Sequence, residues 1–141
     1  MEKLKMKAKQ LGLGGVALGT AFENVTDAQA EKVLQEAWDL GIRYYDTSPW
    51  YGLTKSERRF GEFLNKKKKS EFLFSTKVGR IFTKVDEENV PPTMWKNPLP
   101  FDYYHDYSAD ATKRSIDESL ERTGLDSIDI VFVHDLSEDQ V

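Results

Sequence analysis

Leu11-Gly12-Leu13-Gly14-Gly15-Val16-Ala17-Leu18-Gly19-Thr20 is the stretch that separates the two folds open to this sequence. Val16-Ala17-Leu18, an apolar run between glycines, reads as a buried first strand. An open dinucleotide-binding sheet would carry G-x-G-x-x-G between that strand and the next helix. Here Gly12, Gly14 and Gly15 precede the run, and Gly19-Thr20 after it is too short for the fingerprint. The closed (β/α)8 barrel is the architecture left.

The rest of the chain keeps to that reading. Thr26 opens a helix with Gln29 three residues on, a capping-box pattern. Ala30, Val33, Leu34, Ala37 and Trp38 follow at helical spacing, Trp38 on the buried side, and Gly41 ends the helix. Ile42 to Tyr45 is rich in β-formers and runs into Asp46-Thr47-Ser48-Pro49, a loop signal. From Ser56 a second helical pattern carries Phe60, Phe63 and Leu64 on one side, and Phe72 to Val78 reads as a third strand. Residues 79–107 hold four of the five prolines and read as one long connection, often a functional one. A third helix runs from about Ala109 to Arg122, with Ala111, Ile116 and Leu120 inward and Gly124 as its stop. Ile128 to Val133 is a fourth, apolar strand, and His134-Asp135 follows it.

Strands alternating with helices imply parallel pairing through crossovers, and apolar strands imply a sheet covered on both faces. There is no internal repeat beyond the alternation. The expected architecture is α/β: one domain over residues 1–141, holding the first four strands and three helices of a (β/α)8 barrel. A whole barrel takes about 250 residues, so the chain is expected to be a fragment or a truncated product. Two unpaired strand edges and a half-barrel inner face would then favour self-association.

Composition narrows the function. A formal charge of −4 gives no electrostatic reason to expect nucleic acid as a partner. The one basic run, Lys66 to Lys69, reads as a solvated helix end between Glu62 and Glu71. With no cysteine and two histidines, neither thiol chemistry nor a resident metal is expected. Met1 to Gln10 is basic but no apolar signal region follows, and no stretch approaches membrane-spanning length. A cytoplasmic protein with no membrane partner is the expectation.

The chemistry gathers just past strands two, three and four, the end of a barrel where active sites are built. Asp46 and Tyr51 follow the second strand, Lys77 ends the third and His134 follows the fourth. Singly, such residues are more often a rim aromatic, an edge charge or a structural histidine; at successive strand ends they read as one site. Free tyrosine has a pKa of about 10 and is a feeble acid at neutral pH. A lysine beside it favours the phenolate, a carboxylate keeps that lysine charged, and a histidine can direct a substrate oxygen. Such a set protonates a carbonyl oxygen while hydride reaches its carbon. No side chain donates hydride, so a nicotinamide cofactor is implied. Trp50, Trp95 and Phe101 either line a substrate pocket or are loop packing. His105 reads as structural or exposed.

Tyr45-Asp46-Thr47-Ser48, Tyr51-Gly52, Ser56-Glu57-Arg58 and Gly61 together resemble the signature of the aldo-keto reductase superfamily. Ser75-Thr76-Lys77-Val78-Gly79 resembles its lysine motif. Ser115-Ile116, Ser119-Leu120, Leu125 to Asp129 and His134-Asp135 resemble its third helix and fourth strand. Residues 46–59 and Phe101-Asp102-Tyr103 are similar to the branch containing L-fucose, D-threo-aldose and pyridoxal 4-dehydrogenases. The resemblance implies Tyr51 as general acid/base, Lys77 and Asp46 as its tuners and His134 as the group orienting the substrate carbonyl. It places Gly19, Thr20 and Asp46 near an NAD or NADP cofactor and implies a small carbonyl or sugar substrate. Most cofactor contacts in the family come from strands five to eight, so this chain alone is expected to be inactive. The rival reading is a non-catalytic truncated barrel acting as a self-associating or regulatory subunit.

Overall fold

The computed structural model describes residues 11–137; the basic segment 1–10 and residues 138–141 lie outside the described residues. The elements are β1 (Gly12–Gly14), α1 (Asp27–Asp39), β2 (Tyr44–Asp46), α2 (Lys55–Leu64), β3 (Leu73–Val78), β4 (Arg80–Lys84), β5 (Phe101–His105), α3 (Ala109–Thr123) and β6 (Ile130–Val133). β1, β2, β3 and β6 form a four-stranded parallel sheet in that order. Strands thus lie side by side in chain order, without the reversal of a doubly wound sheet, as in a partial (β/α) barrel.

The first strand is not where the apolar run predicts. Ala17–Gly19 is a 3-10 turn, and the strand is Gly12–Gly14. The glycines serve packing: a Cβ on Gly12 would come within 2.6 Å of the Tyr44 ring, and one on Gly15 within 2.6 Å of Phe60 and Ser56. Leu18 instead turns into the core. The premise that the glycines precede the strand therefore fails, while the fold it argued for stands on the strand order.

The pleat sorts the sheet into two faces. The register pairs Leu13, Tyr45 and Phe74 across one face, and Gly14, Asp46 and Ser75 across the other. Tyr45 and Phe74 are fully buried with Leu34, Phe60 and Phe63 of the helices. Trp38 packs against this core, 6.4 Å from the Tyr45 ring. The other face is open, and β6 is exposed on both faces, from Ile130 at 36% to Val133 at 57%. The expectation of a sheet covered on both sides holds for one face of β2 and β3 only.

α1 starts as its capping box predicts: Thr26 Oγ1 accepts from the Gln29 amide at 3.2 Å, and Gln29 Oε1 accepts from the Thr26 amide at 2.8 Å. Its buried stripe is Ala30, Leu34 and Ala37; Val33 is 45% exposed. The inward face of α3 meets expectation at Ala111 and differs at Ile116 and Leu120. Ala111, Ser115, Ser119 and Thr123 are buried, while Ile116 and Leu120 are half-buried. Small residues every fourth position let α2 approach closely, so that a methyl on Gly61 would collide with the Thr123 backbone. Between the helices and the sheet lies a closed ion pair. Glu57, wholly buried, accepts from Thr76 Oγ1 at 2.6 Å and pairs with Arg122 Nε at 2.6 Å.

Residues 79–107 are not simply a loop. β4 and β5 form an antiparallel ribbon from Arg80↔His105 to Lys84↔Phe101. It helps cover a second cluster of Ala21, Tyr51, Leu53, Phe82 and Trp95.

Candidate active site

Alternation along β2 and β3 sends Asp46, Ser75 and Lys77 to the open face. Lys77 Nζ donates to Asp46 Oδ2 at 2.7 Å and to the Thr47 carbonyl at 2.8 Å. Ser75 Oγ donates to Asp46 Oδ1 at 2.6 Å. Both carboxylate oxygens and two ammonium hydrogens are thereby held, while Nζ sits 4.8 Å from the centroid of the Tyr51 ring.

Tyr51 is placed by an irregular loop. Gly52, Leu53 and Thr54 all have positive φ, at 70°, 50° and 77°. Two non-glycine residues in that region store strain, which is held by burial of Leu53 and Thr54. Gly19 lets the first turn pack behind the loop, since a Cβ there would come within 2.6 Å of the Tyr51 carbonyl carbon. Thr20 is buried beside it, its hydroxyl donating to the Gly19 carbonyl at 2.6 Å. The Tyr51 ring lies 5.9 Å from Trp95 and 5.8 Å, nearly perpendicular, from His134. Its hydroxyl makes no hydrogen bond among the described residues, so it is free to act on a ligand.

His134 is held at the end of β6. Its Nδ1 lies 3.0 Å from Ser48 Oγ and its Nε2 3.7 Å from Asp135 Oδ1. Tyr107 fixes the backbone, donating to the His134 carbonyl at 2.8 Å. That ring fits because Gly79 (φ 115°) carries no side chain beneath it. Burial pushes His134 down to about 4, against the pull of the Asp135 carboxylate; the Arg80 and Lys77 charges lower it further and Asp46 raises it slightly. Burial works against ionisation of Asp135, but its 2.7 Å pair with Arg80 and the nearby His134 outweigh this and hold it below its ordinary range.

The structure therefore brings Asp46, Tyr51, Lys77 and His134 together. Trp95 walls the back of Tyr51, and Trp50 contacts Trp95 at 5.6 Å and Tyr103 at 4.6 Å. Phe101 packs, like Trp50, against the cluster that holds Tyr51 and Trp95, and no ring contact joins it to Tyr51 or His134 among the described residues. It lies at the far end of β5, with the Arg58 guanidinium 5.9 Å from its ring. His105, exposed, stacks on Tyr107 at 6.3 Å.

Ser75, Ser48, Arg80 and Asp135 are contributors that sequence reasoning did not single out. Ser75 was findable, lying two residues before Lys77 on the same strand face. Arg80 gave no such signal, because the turn at Gly79 redirects the chain. Beside the site is an open depression of about 530 Å³ lined by Gly12, Leu13, Gly14, Tyr44, Asp46, Lys77 and Phe132.

Residues 10–141 match the Aldo/keto reductase family, and the chain belongs to it. It is 43% identical over 129 residues to a D-threo-aldose 1-dehydrogenase of Pseudomonas sp and 38% identical over 135 residues to a pyridoxal 4-dehydrogenase of Microbacterium luteolum. In both alignments it covers 89% of this chain and 39% of the relative, so the chain spans about two-fifths of those proteins. Among solved structures, an aldo-keto reductase from Pseudomonas aeruginosa, described as putative, superposes with a TM-score of 0.65 at 33% identity, covering 91% of this chain and 41% of that one. An aldo-keto reductase from Klebsiella pneumoniae in complex with NADPH shares the fold at 19% identity and a TM-score of 0.58, over 87% of this chain and 34% of that one.

Proposed function

We propose that this chain carries the proton-transfer half of an NAD(P)-dependent oxidoreductase that interconverts small aldehydes, ketones or aldoses with alcohols or lactones. One observation carries the reading: the Asp46–Lys77 pair lies against the Tyr51 ring, whose hydroxyl is unbonded among the described residues, with His134 edge-on beside it. Tyr51 gives its hydroxyl proton to the carbonyl oxygen on reduction and recovers it on oxidation. Lys77, held by Asp46, places positive charge where the phenolate forms. His134, neutral at physiological pH, donates a hydrogen bond to the substrate oxygen and fixes its direction. Trp50 and Trp95 form the aromatic wall of the substrate side.

A nicotinamide cofactor supplies the hydride when bound. The depression suits its ring end, with an apolar floor and open space above Gly14. Among the described residues the one cation lining it is Lys77, already paired to Asp46, so these residues offer no free charge to the cofactor's pyrophosphate. We accordingly propose little or no turnover by these 141 residues alone. A second reading, a self-associating non-catalytic half barrel, is favoured by the exposed apolar residues of β6.

The test grafts residues 12–137 into the matching segment of the Pseudomonas D-threo-aldose 1-dehydrogenase. The chimera is expected to oxidise aldoses, and Tyr51→Phe to lower kcat by at least about 10³-fold with the fold unchanged. Turnover that survives Tyr51→Phe would sink the mechanism. An inactive but folded chimera would favour the second reading.

A further inference from the structure

We propose that Ser48 is a positioning residue that sets the tautomer of His134: its hydroxyl donates to Nδ1, so the ring carries its hydrogen on Nε2. The inference rests on His134 being the group that orients the substrate oxygen, because only a nitrogen bearing hydrogen can donate to that oxygen. It starts from a count of hydrogens around one buried oxygen. Ser48 is fully buried in the loop that leaves β2. Its Oγ accepts from the Trp50 amide at 3.1 Å and lies 3.0 Å from His134 Nδ1. These are its only hydrogen-bond partners among the described residues.

Two arrangements of hydrogen satisfy the Ser48–His134 contact. If Nδ1 carried the hydrogen, Ser48 would accept twice and its own hydroxyl hydrogen would be buried with no acceptor, a costly state. If Nε2 carries it, Ser48 accepts from Trp50 and donates to Nδ1, and every group is satisfied. The other side of the ring favours the same answer. Nε2 faces Asp135 Oδ1 at 3.7 Å, where a hydrogen is attracted and a lone pair repelled. Arg80 holds the far oxygen of that carboxylate at 2.7 Å and keeps it in place. Because the buried ring is neutral at physiological pH, it has one N–H, and its location decides what the ring can do.

The chain has two histidines, so ¹⁵N-histidine labelling gives two rings, separable with His105→Gln. In the 141-residue chain at pH 7, the His134 Nδ1 resonance is expected to be that of an unprotonated nitrogen receiving a hydrogen bond, with the hydrogen on Nε2. Ser48→Ala is expected to return Nδ1 to the free-imine shift, and Ser48→Thr to restore the bonded one. A wild-type ring protonated at Nδ1 overturns the proposal without any variant. So does an Nδ1 shift that Ser48→Ala leaves unchanged. Failure of the enzymatic reading is distinguishable: the chimera would then be inactive while the ring signature stayed as described.

Discussion

Glu57–Arg122 and Asp46–Lys77 are both carboxylate–cation pairs at hydrogen-bond distance, 2.6 and 2.7 Å, reached from adjacent residues of β3. Thr76 points to the helices and engages Glu57; Lys77 points to the open face and engages Asp46. The first pair is closed. Glu57 uses both oxygens, and Arg122 also reaches Ser119 at 3.0 Å and Glu118 at 3.5 Å. The second is left open: Lys77 Nζ has two partners and lies 4.8 Å from the centroid of the Tyr51 ring, whose hydroxyl is unbonded among the described residues. A charge whose hydrogen bonds are all spent within the protein ties elements together, whereas one with a bond to spare is available to chemistry.

The largest effect that sharpens this contrast is on stability. Glu57→Ala takes the 2.6 Å partner from the buried Arg122, leaving the longer 3.5 Å contact to Glu118, and is expected to cost about 3 kcal/mol in urea unfolding. Asp46→Asn, which keeps an acceptor at a more open site, is expected to cost about 1 kcal/mol. Equal costs would erase the distinction between the two pairs.

The next effect is on pH dependence. His134 titrates near 6.5 when unfolded and at about 4 when folded, so between those values the unfolded chain binds the extra proton. Its contribution is full above about pH 6.5 and is lost as pH falls towards 4, on the order of 1–3 kcal/mol. The groups facing it are Asp135, Arg80, Lys77 and Asp46. Urea midpoints from pH 4.5 to 7 should rise with pH, and His134→Gln should flatten that rise. A slope that survives the substitution would assign it to other groups.

The smallest effect separates Ser75 from Thr76. Ser75→Ala removes the donor to Asp46 Oδ1 and is expected to cost about 1 kcal/mol. Thr76→Val, which strips a hydrogen bond from the buried Glu57 carboxylate, is expected to cost about twice that. Thermal unfolding of both variants measures the difference, and the reverse order would break the account of the open and closed pairs.

Much of this is legible in the sequence. The capping box at Thr26 and Gln29 reads from spacing because its bonds are local. Asp46, Tyr51, Lys77 and His134 were legible as one site because parallel strands place their C-terminal ends together. The first strand was misplaced because glycines have low strand propensity and the apolar run looked better; the bulk of Tyr44 and Phe60 required them there. The face of α3 was misjudged because size, not hydrophobicity, chose it where α2 crosses closely.

By itself, the sequence determined the alternation of strands and helices, the placing of Asp46, Tyr51, Lys77 and His134 at strand ends, and the narrow choice of side-chain chemistries that two histidines and no cysteine leave. These follow from residue identity and local spacing. Only the tertiary structure decided that Lys77 meets Asp46 and Thr47, that Ser48 sits on Nδ1 of His134, and that Arg80 reaches Asp135. Those pairings join residues up to 86 positions apart. Their geometry depends on strand register and on left-handed turns at Gly52 to Thr54 and Gly79, and no local pattern encodes either.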